Sequence, residues 1–114
     1  MCIADKDLAA ILRRDFSEDF VAKMKGSMLQ SHYKYGWVSD TYPELADAIA
    51  CLKQRLELYE KDGNIDHLVD VANFAMIESM YPRHPNAHFE RLSSDKSPGL
   101  VGISYKQMMQ EVCE

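Results

Sequence analysis

The sequence predicts an all-α domain, a bundle of four or five helices with no convincing strand. Three observations lead there. Apolar residues recur at intervals of three and four in several separate stretches. Residues that start and stop helices bracket those stretches. The longest of them, Asn64 to Tyr81, opens on an N-cap asparagine and closes before Pro82, which cannot continue a helix. Within it Ile65, Leu68, Val69, Ala72, Ala75, Met76 and Met80 keep helical spacing, and Val71, Phe74 and Ile77 add apolar residues on the other faces. A helix apolar nearly all round is expected inside its assembly. Asp70 and Asn73 interrupt it, three apart and on one face. A carboxylate and an amide there must be hydrogen-bonded, ligand-bound or turned to solvent.

The other elements follow in chain order. Asp5 to Arg14 is a short amphipathic pattern through Leu8, Ile11 and Leu12. Asp15 opens D-F-S-E, read as a capping box with Glu18. A second helix then runs through Phe20, Val21, Met24, Met28 and Leu29 toward Tyr33, with Gly36 as its C-terminal stop. Its end reads HYKYGW. Two tyrosines and a tryptophan around Lys34 make either a hydrophobic corner or a base-stacking wall with a phosphate-binding cation, and spacing alone favours the corner. VSDTYP is a connector, and Thr41-Tyr-Pro-Glu44 reads as a capping box with proline in the first turn. Leu45, Ile49, Leu52, Leu56 and Tyr59 then form a packing seam. Asp62-Gly63-Asn64 is short enough to make an antiparallel hairpin with the central helix. Residues 82–103, with three prolines and two histidines, read as an ordered loop or arm. Ser104 is expected to cap a last helix, 104–113, through Tyr105, Met108, Met109 and Val112.

Composition bounds the function. A chain of 114 residues suffices for one domain, 1–114, with a helical core at about 16–81. A net charge of −5 disfavours a general nucleic-acid backbone binder, yet local cations can still hold a small nucleotide. Cys2, Cys51 and Cys113 make neither a disulfide framework nor a Cys-x-x-Cys pair, and Cys51 reads as a buried thiol. No secretory signal or membrane span is legible, which makes the cytoplasm the expected compartment. His84 and His88 lack the further ligands a zinc site needs. The run Lys53 to Lys61 reads as a solvated face with i, i+4 pairs, and the methionines as core or interface fill.

HYKYGW followed by DVANFAMIE carries a resemblance. From about Phe20 to Met80 the chain resembles the MazG-like, all-α nucleoside triphosphate pyrophosphohydrolases, in particular small dATP/dGTP-diphosphohydrolase-like members. The string Asp70-Val-Ala-Asn-Phe-Ala-Met76 is its most specific part, and Lys34-Tyr-Gly-Trp37 adds to it. The resemblance implies Mg²⁺ held by acids on two adjacent helices, cleavage between the α- and β-phosphates, and dimers or tetramers whose sites combine helices from two chains. Magnesium requires hard oxygen ligands in octahedral order, hence the acidic pairs.

The acids are thinned out here. Where the resemblance leads one to expect a Glu-x-x-Asp pair, the central helix has His67-Leu-Val-Asp70. On the preceding helix one register places Lys53, Gln54 and Arg55 at the acidic positions, and another offers Glu44 and Asp47. The expected metal ligands are therefore Glu44, Asp47 and Asp70, and the expected nucleotide contacts Lys34, Trp37, Asp70 and Asn73. The alternative for Asp70 is an ion pair with a Lys or Arg of a neighbouring helix; beside Asn73 and the resemblance, the ligand role is favoured.

Three functions compete: a nucleotide binder with catalysis weakened or lost, an active Mg²⁺-dependent pyrophosphohydrolase, and a small protein-binding inhibitor or accessory factor, for example in phage–host conflict. The apolar central helix also predicts a homodimer or homotetramer, with the helices Leu45–Tyr59 and Ile65–Met80 at the shared bundle and Asp70 near the cleft between subunits.

Overall fold

A computed structural model describes residues 5–93 and 95–103. Their elements are α1 (Asp5–Asp15), α2 (Glu18–Tyr35), α3 (Val38–Thr41), α4 (Ala48–Asp62) and α5 (Ile65–Met80). Among the described residues there is no strand, only an isolated bridge between Leu100 and Ile103. The architecture is all-α, and no described helix is long and apolar enough to cross a membrane. The expected last helix, 104–113, lies outside the described residues.

The α4–α5 hairpin forms as its turn residues dictate. Gly63 takes a left-handed conformation at φ 73°, and its N–H closes the helix on Tyr59 O. Asn64 Oδ1 then accepts from Asp66 N at 3.0 Å, capping α5. Asp62 reinforces the corner: its Oδ1 accepts from Asn64 N at 2.8 Å and its Oδ2 lies 2.9 Å from His67 Nε2. The Asn64 backbone N–H first, then the His67 ring, hold the Asp62 carboxyl below its ordinary value. A carboxyl lowered in the folded state stabilises the fold above the unfolded value and loses that contribution as pH falls through the lowered one. An NMR titration should therefore place the Asp62 midpoint below about 3.9, and His67→Ala should move it part of the way back. A midpoint at the ordinary value in the wild-type chain would contradict the corner.

Two helix starts differ from expectation. The cap of α2 is Ser17, whose Oγ accepts from Phe20 N at 2.9 Å, so Asp15 ends α1 instead of capping the next helix. The Thr41 box does not start α4 either. Thr41 closes α3, and its carbonyl accepts from Leu45 N at 2.9 Å and Ala46 N at 3.1 Å, winding residues 42–45 into a turn. Asp47 caps α4 instead, Oδ1 to Ala50 N at 3.1 Å. Pro43, Glu44 and Leu45 therefore lie ahead of the helix, not in its first turn.

Packing centres on α5, which lies against both α4 and α2. Its buried residues, Val69, Asn73 and Ile77, stand four apart in one stripe, and with Ala48 they are the fully buried set among the described residues. Ile65 and Met80 stay half exposed in the single chain, since among the described residues only α2 and α4 pack on α5. Cys51 is half-buried rather than buried. The run Lys53 to Lys61 is largely exposed, as expected of an outer face, but the i, i+4 ion pair found among the described residues is Lys23–Asp19 on α2.

Candidate functional site

Where α2 diverges from α5, α3 and the end of α4's first turns complete a cleft of about 830 Å³. All four residues expected to contact a nucleotide, Lys34, Trp37, Asp70 and Asn73, line this one cleft, together with Ser27, Tyr33, Tyr35, Tyr42, Arg55 and Phe74. Helix α2 delivers Lys34 in its last turn, and Gly36, at φ 84°, ends the helix by donating its N–H to His32 O. That stop turns Trp37 onto the rim.

The aromatic residues do not pack into a closed corner. Trp37 meets His32 edge-on at 4.5 Å, but Tyr33 is 86% and Trp37 68% exposed. Among the described residues the corner favoured by spacing is not built, and none of them covers the faces of Tyr33 and Trp37.

On the floor, Asp70 Oδ2 pairs with Arg55 Nε at 3.2 Å, and Asp70 Oδ1 accepts from Ser27 Oγ at 3.4 Å. The Arg55 guanidinium also lies 5.5 Å from the Phe74 ring centre, a cation–π distance. Asp70 thus has the neighbouring-helix arginine that its alternative reading required. The sequence placed Arg55 at one of the expected acidic positions, inside a charged run, and not as the partner of Asp70. The hairpin could have revealed it: residues 55 and 70 lie nearly equidistant from the Asp62–Gly63 turn and so face each other across it. Tyr42 was missed as well; burial, followed by the neighbouring Cys51, raises its pKa while Arg55 opposes the shift, and its phenol stays protonated as a hydrogen-bond donor.

Asn73 is the most constrained group. Its Nδ2 donates to Met24 O at 3.1 Å, tying α5 to α2. Its Oδ1 is buried with no hydrogen-bond partner among the described residues. A buried acceptor left unpaired costs about 1–3 kcal/mol, so a donor arriving there would be favoured by a comparable amount.

The carboxylates proposed for a metal, Glu44, Asp47 and Asp70, are not brought together. Asp47 is spent on the α4 cap and on Arg83 Nη1 at 3.3 Å, Glu44 is exposed in the turn, and Asp70 faces Arg55. Among the described residues no group of three or more His, Cys, Asp or Glu is placed to hold a metal ion. Among the described residues, Glu44, Asp47 and Asp70 do not form the converging oxygen set that Mg²⁺ requires. His84 and His88 make local loop contacts, His84 Nδ1 accepting from Asn86 N at 3.0 Å and His88 Nδ1 lying 2.9 Å from Asn86 O.

The fold and the cleft define a class: an all-α protein whose cleft combines cations, exposed aromatic faces and an unpaired buried acceptor. No protein-family model, curated protein or solved structure matches the chain.

Proposed function

We propose that the chain is a MazG-like helical protein that binds a nucleotide in the α2–α5 cleft, with pyrophosphohydrolase activity weakened or lost. The observation that carries this reading is the convergence of Lys34, Trp37, Asp70 and Asn73 on one cleft, joined by Arg55. Lys34 and Arg55 offer positive charge to phosphate oxygens. Trp37, Tyr33 and Tyr35 offer ring faces to a base. A volume of about 830 Å³ suits a ligand of nucleotide size. The dispersed carboxylates weigh against hydrolysis, and binding as proposed does not depend on a protein-held metal.

Calorimetric titration with dNTPs, NTPs and cyclic nucleotides, with and without Mg²⁺, tests this reading. Binding without pyrophosphate release is expected, and no binding of any of them would refute it. Mg²⁺-dependent pyrophosphate release that disappears in Asp70→Ala would favour the active enzyme instead. Asp70→Asn separates the roles of that residue. With its carboxylate partner removed, Arg55 is free for the ligand, and affinity should rise by up to about tenfold, 1.4 kcal/mol. A metal-binding role for Asp70 predicts the opposite, a fall confined to Mg²⁺-containing buffer.

A second reading has one observation in its favour. In the arm, residues 82–103, Phe89 is 88% exposed and Leu92, Leu100 and Val101 are exposed as well. Such an arm suits a protein partner, as an inhibitor or accessory factor would need. Deleting residues 84–99 should then abolish partner binding and leave the helical signal intact.

A further inference from the structure

The charge of the α2–α5 cleft is small and unevenly held. Of its lining residues three carry a Lys, Arg, Asp or Glu charge: Lys34 and Arg55 as cations, Asp70 as the one carboxylate. Among the described residues the cleft therefore sets two positive charges against one negative. Lys25 and Lys53, cations of α2 and α4, do not line it.

The two lining cations differ in how they are held. Lys34 is exposed in the last turn of α2. The Arg55 side chain is only 31% exposed and is fixed from three directions. Its Nε donates to Asp70 Oδ2 at 3.2 Å, its Nη1 donates to Gln54 Oε1, and its guanidinium carbon lies 5.5 Å from the centre of the Phe74 ring. A guanidinium has five N–H donors in a rigid fork, so two are used and, among the described residues, three remain. A phosphate group takes two such donors side by side. Arg55 can hold one phosphate without leaving Asp70, and because the fork is already oriented little side-chain freedom is lost on binding.

No similar provision exists for a second or third phosphate. Asp70, fixed beside Arg55, repels further negative charge brought to that end of the cleft. The carboxylates that would bring in a divalent cation do not converge among the described residues.

We propose that the cleft takes a nucleotide with a single phosphate group, a monophosphate or a cyclic monophosphate, and takes it without a divalent cation. A phosphate monoester carries about −1.5 to −2 charges near pH 7, close to what Lys34 and Arg55 supply together. The further phosphates of a triphosphate would give up water without gaining a cation. Asp70 is then a specificity-determining residue: by neutralising part of Arg55 it holds the cleft to one phosphate. The inference rests on the nucleotide reading above and narrows it to this class.

Calorimetry on the full chain, in a buffer with chelator and again with Mg²⁺, compares each common nucleoside with its monophosphate, cyclic monophosphate and triphosphate. At least one single-phosphate form should bind at least about tenfold tighter than its nucleoside, the triphosphate should bind no tighter than that form, and Mg²⁺ should leave the single-phosphate affinity unchanged. A triphosphate that binds more than about threefold tighter than both single-phosphate forms, or single-phosphate binding that requires Mg²⁺, would overturn the proposal and leave nucleotide binding standing. No binding by any member of the series would overturn both. Arg55→Gln should erase the advantage of the single-phosphate form and leave nucleoside affinity as it was, with helical circular dichroism as the check on folding; equal losses for both ligands would make Arg55 a structural residue and overturn the assignment. Asp70→Asn keeps the shape of the side chain and an acceptor for Ser27 and Arg55, so it reads the charge alone. It should raise triphosphate affinity more than monophosphate affinity, because the loss of a negative charge favours the more highly charged ligand. A rise no greater for the triphosphate would overturn the proposal.

Discussion

Ile77→Ala is expected to lower the unfolding free energy by about 2–5 kcal/mol, the range for deleting a buried aliphatic side chain. Ile77 is 5% exposed and closes the buried stripe of α5 with Val69 and Asn73. Against a total of about 5–15 kcal/mol for a typical domain, such a loss is a large share of the stability. The reason lies in the small number of fully buried residues: few other contacts are available to compensate. Urea denaturation should show a lower midpoint with an unchanged slope. Ile65→Ala, at the half-exposed start of the same helix, should cost well under half as much. Equal losses at the two positions would mean that the stripe facing α2 and α4 is not the core.

Trp37→Ala is expected to weaken nucleotide binding by about 1–3 kcal/mol, roughly 5- to 150-fold, the range for removing an aromatic platform under a base. The ring stands on the rim of the cleft, touching His32 edge-on and leaving most of its surface free. Its removal should therefore cost binding without costing much fold, and thermal unfolding of the unliganded chain should shift by no more than a degree or two. Lys34→Ala provides the complementary contrast. It should weaken triphosphates more than nucleosides, whereas Trp37→Ala should weaken both alike. An affinity insensitive to both changes would move the ligand out of this cleft.

The two exchanges of cap, Ser17 for Asp15 and Asp47 for Thr41, show how local patterns compete. Each expected box had the correct residue types at the correct spacing, and in each case another acceptor two to six residues away took the helix start. Spacing alone cannot rank two adequate caps, because the choice depends on where the helix must begin in order to pack. Asp70 teaches a similar lesson at longer range. Its need for a partner is legible from its place in an apolar helix, but the identity of the partner is not. Arg55 becomes that partner only when the hairpin brings position 55 opposite position 70.

The sequence by itself determined α1, α2, α4 and α5, their periodic faces and the Gly63–Asn64 hairpin turn, because these depend on backbone conformation and interactions a few residues apart; the single turn of α3, read as part of a connector, it did not. It also carried Lys34, Trp37, Asp70 and Asn73 as candidates, since each is an unusual residue type for its local setting. Only the tertiary structure decided that these four line one cleft, that Asp47 and Asp70 are spoken for by Arg83 and Arg55, and that Asn73 Oδ1 is left without a donor among the described residues. It alone decided, too, which apolar faces remain uncovered. A helix advertises an apolar stripe through its period, but whether that stripe is buried depends on how many neighbours reach it. Among the described residues α2 and α4 pack on α5, and Ile65 and Met80 are left half exposed.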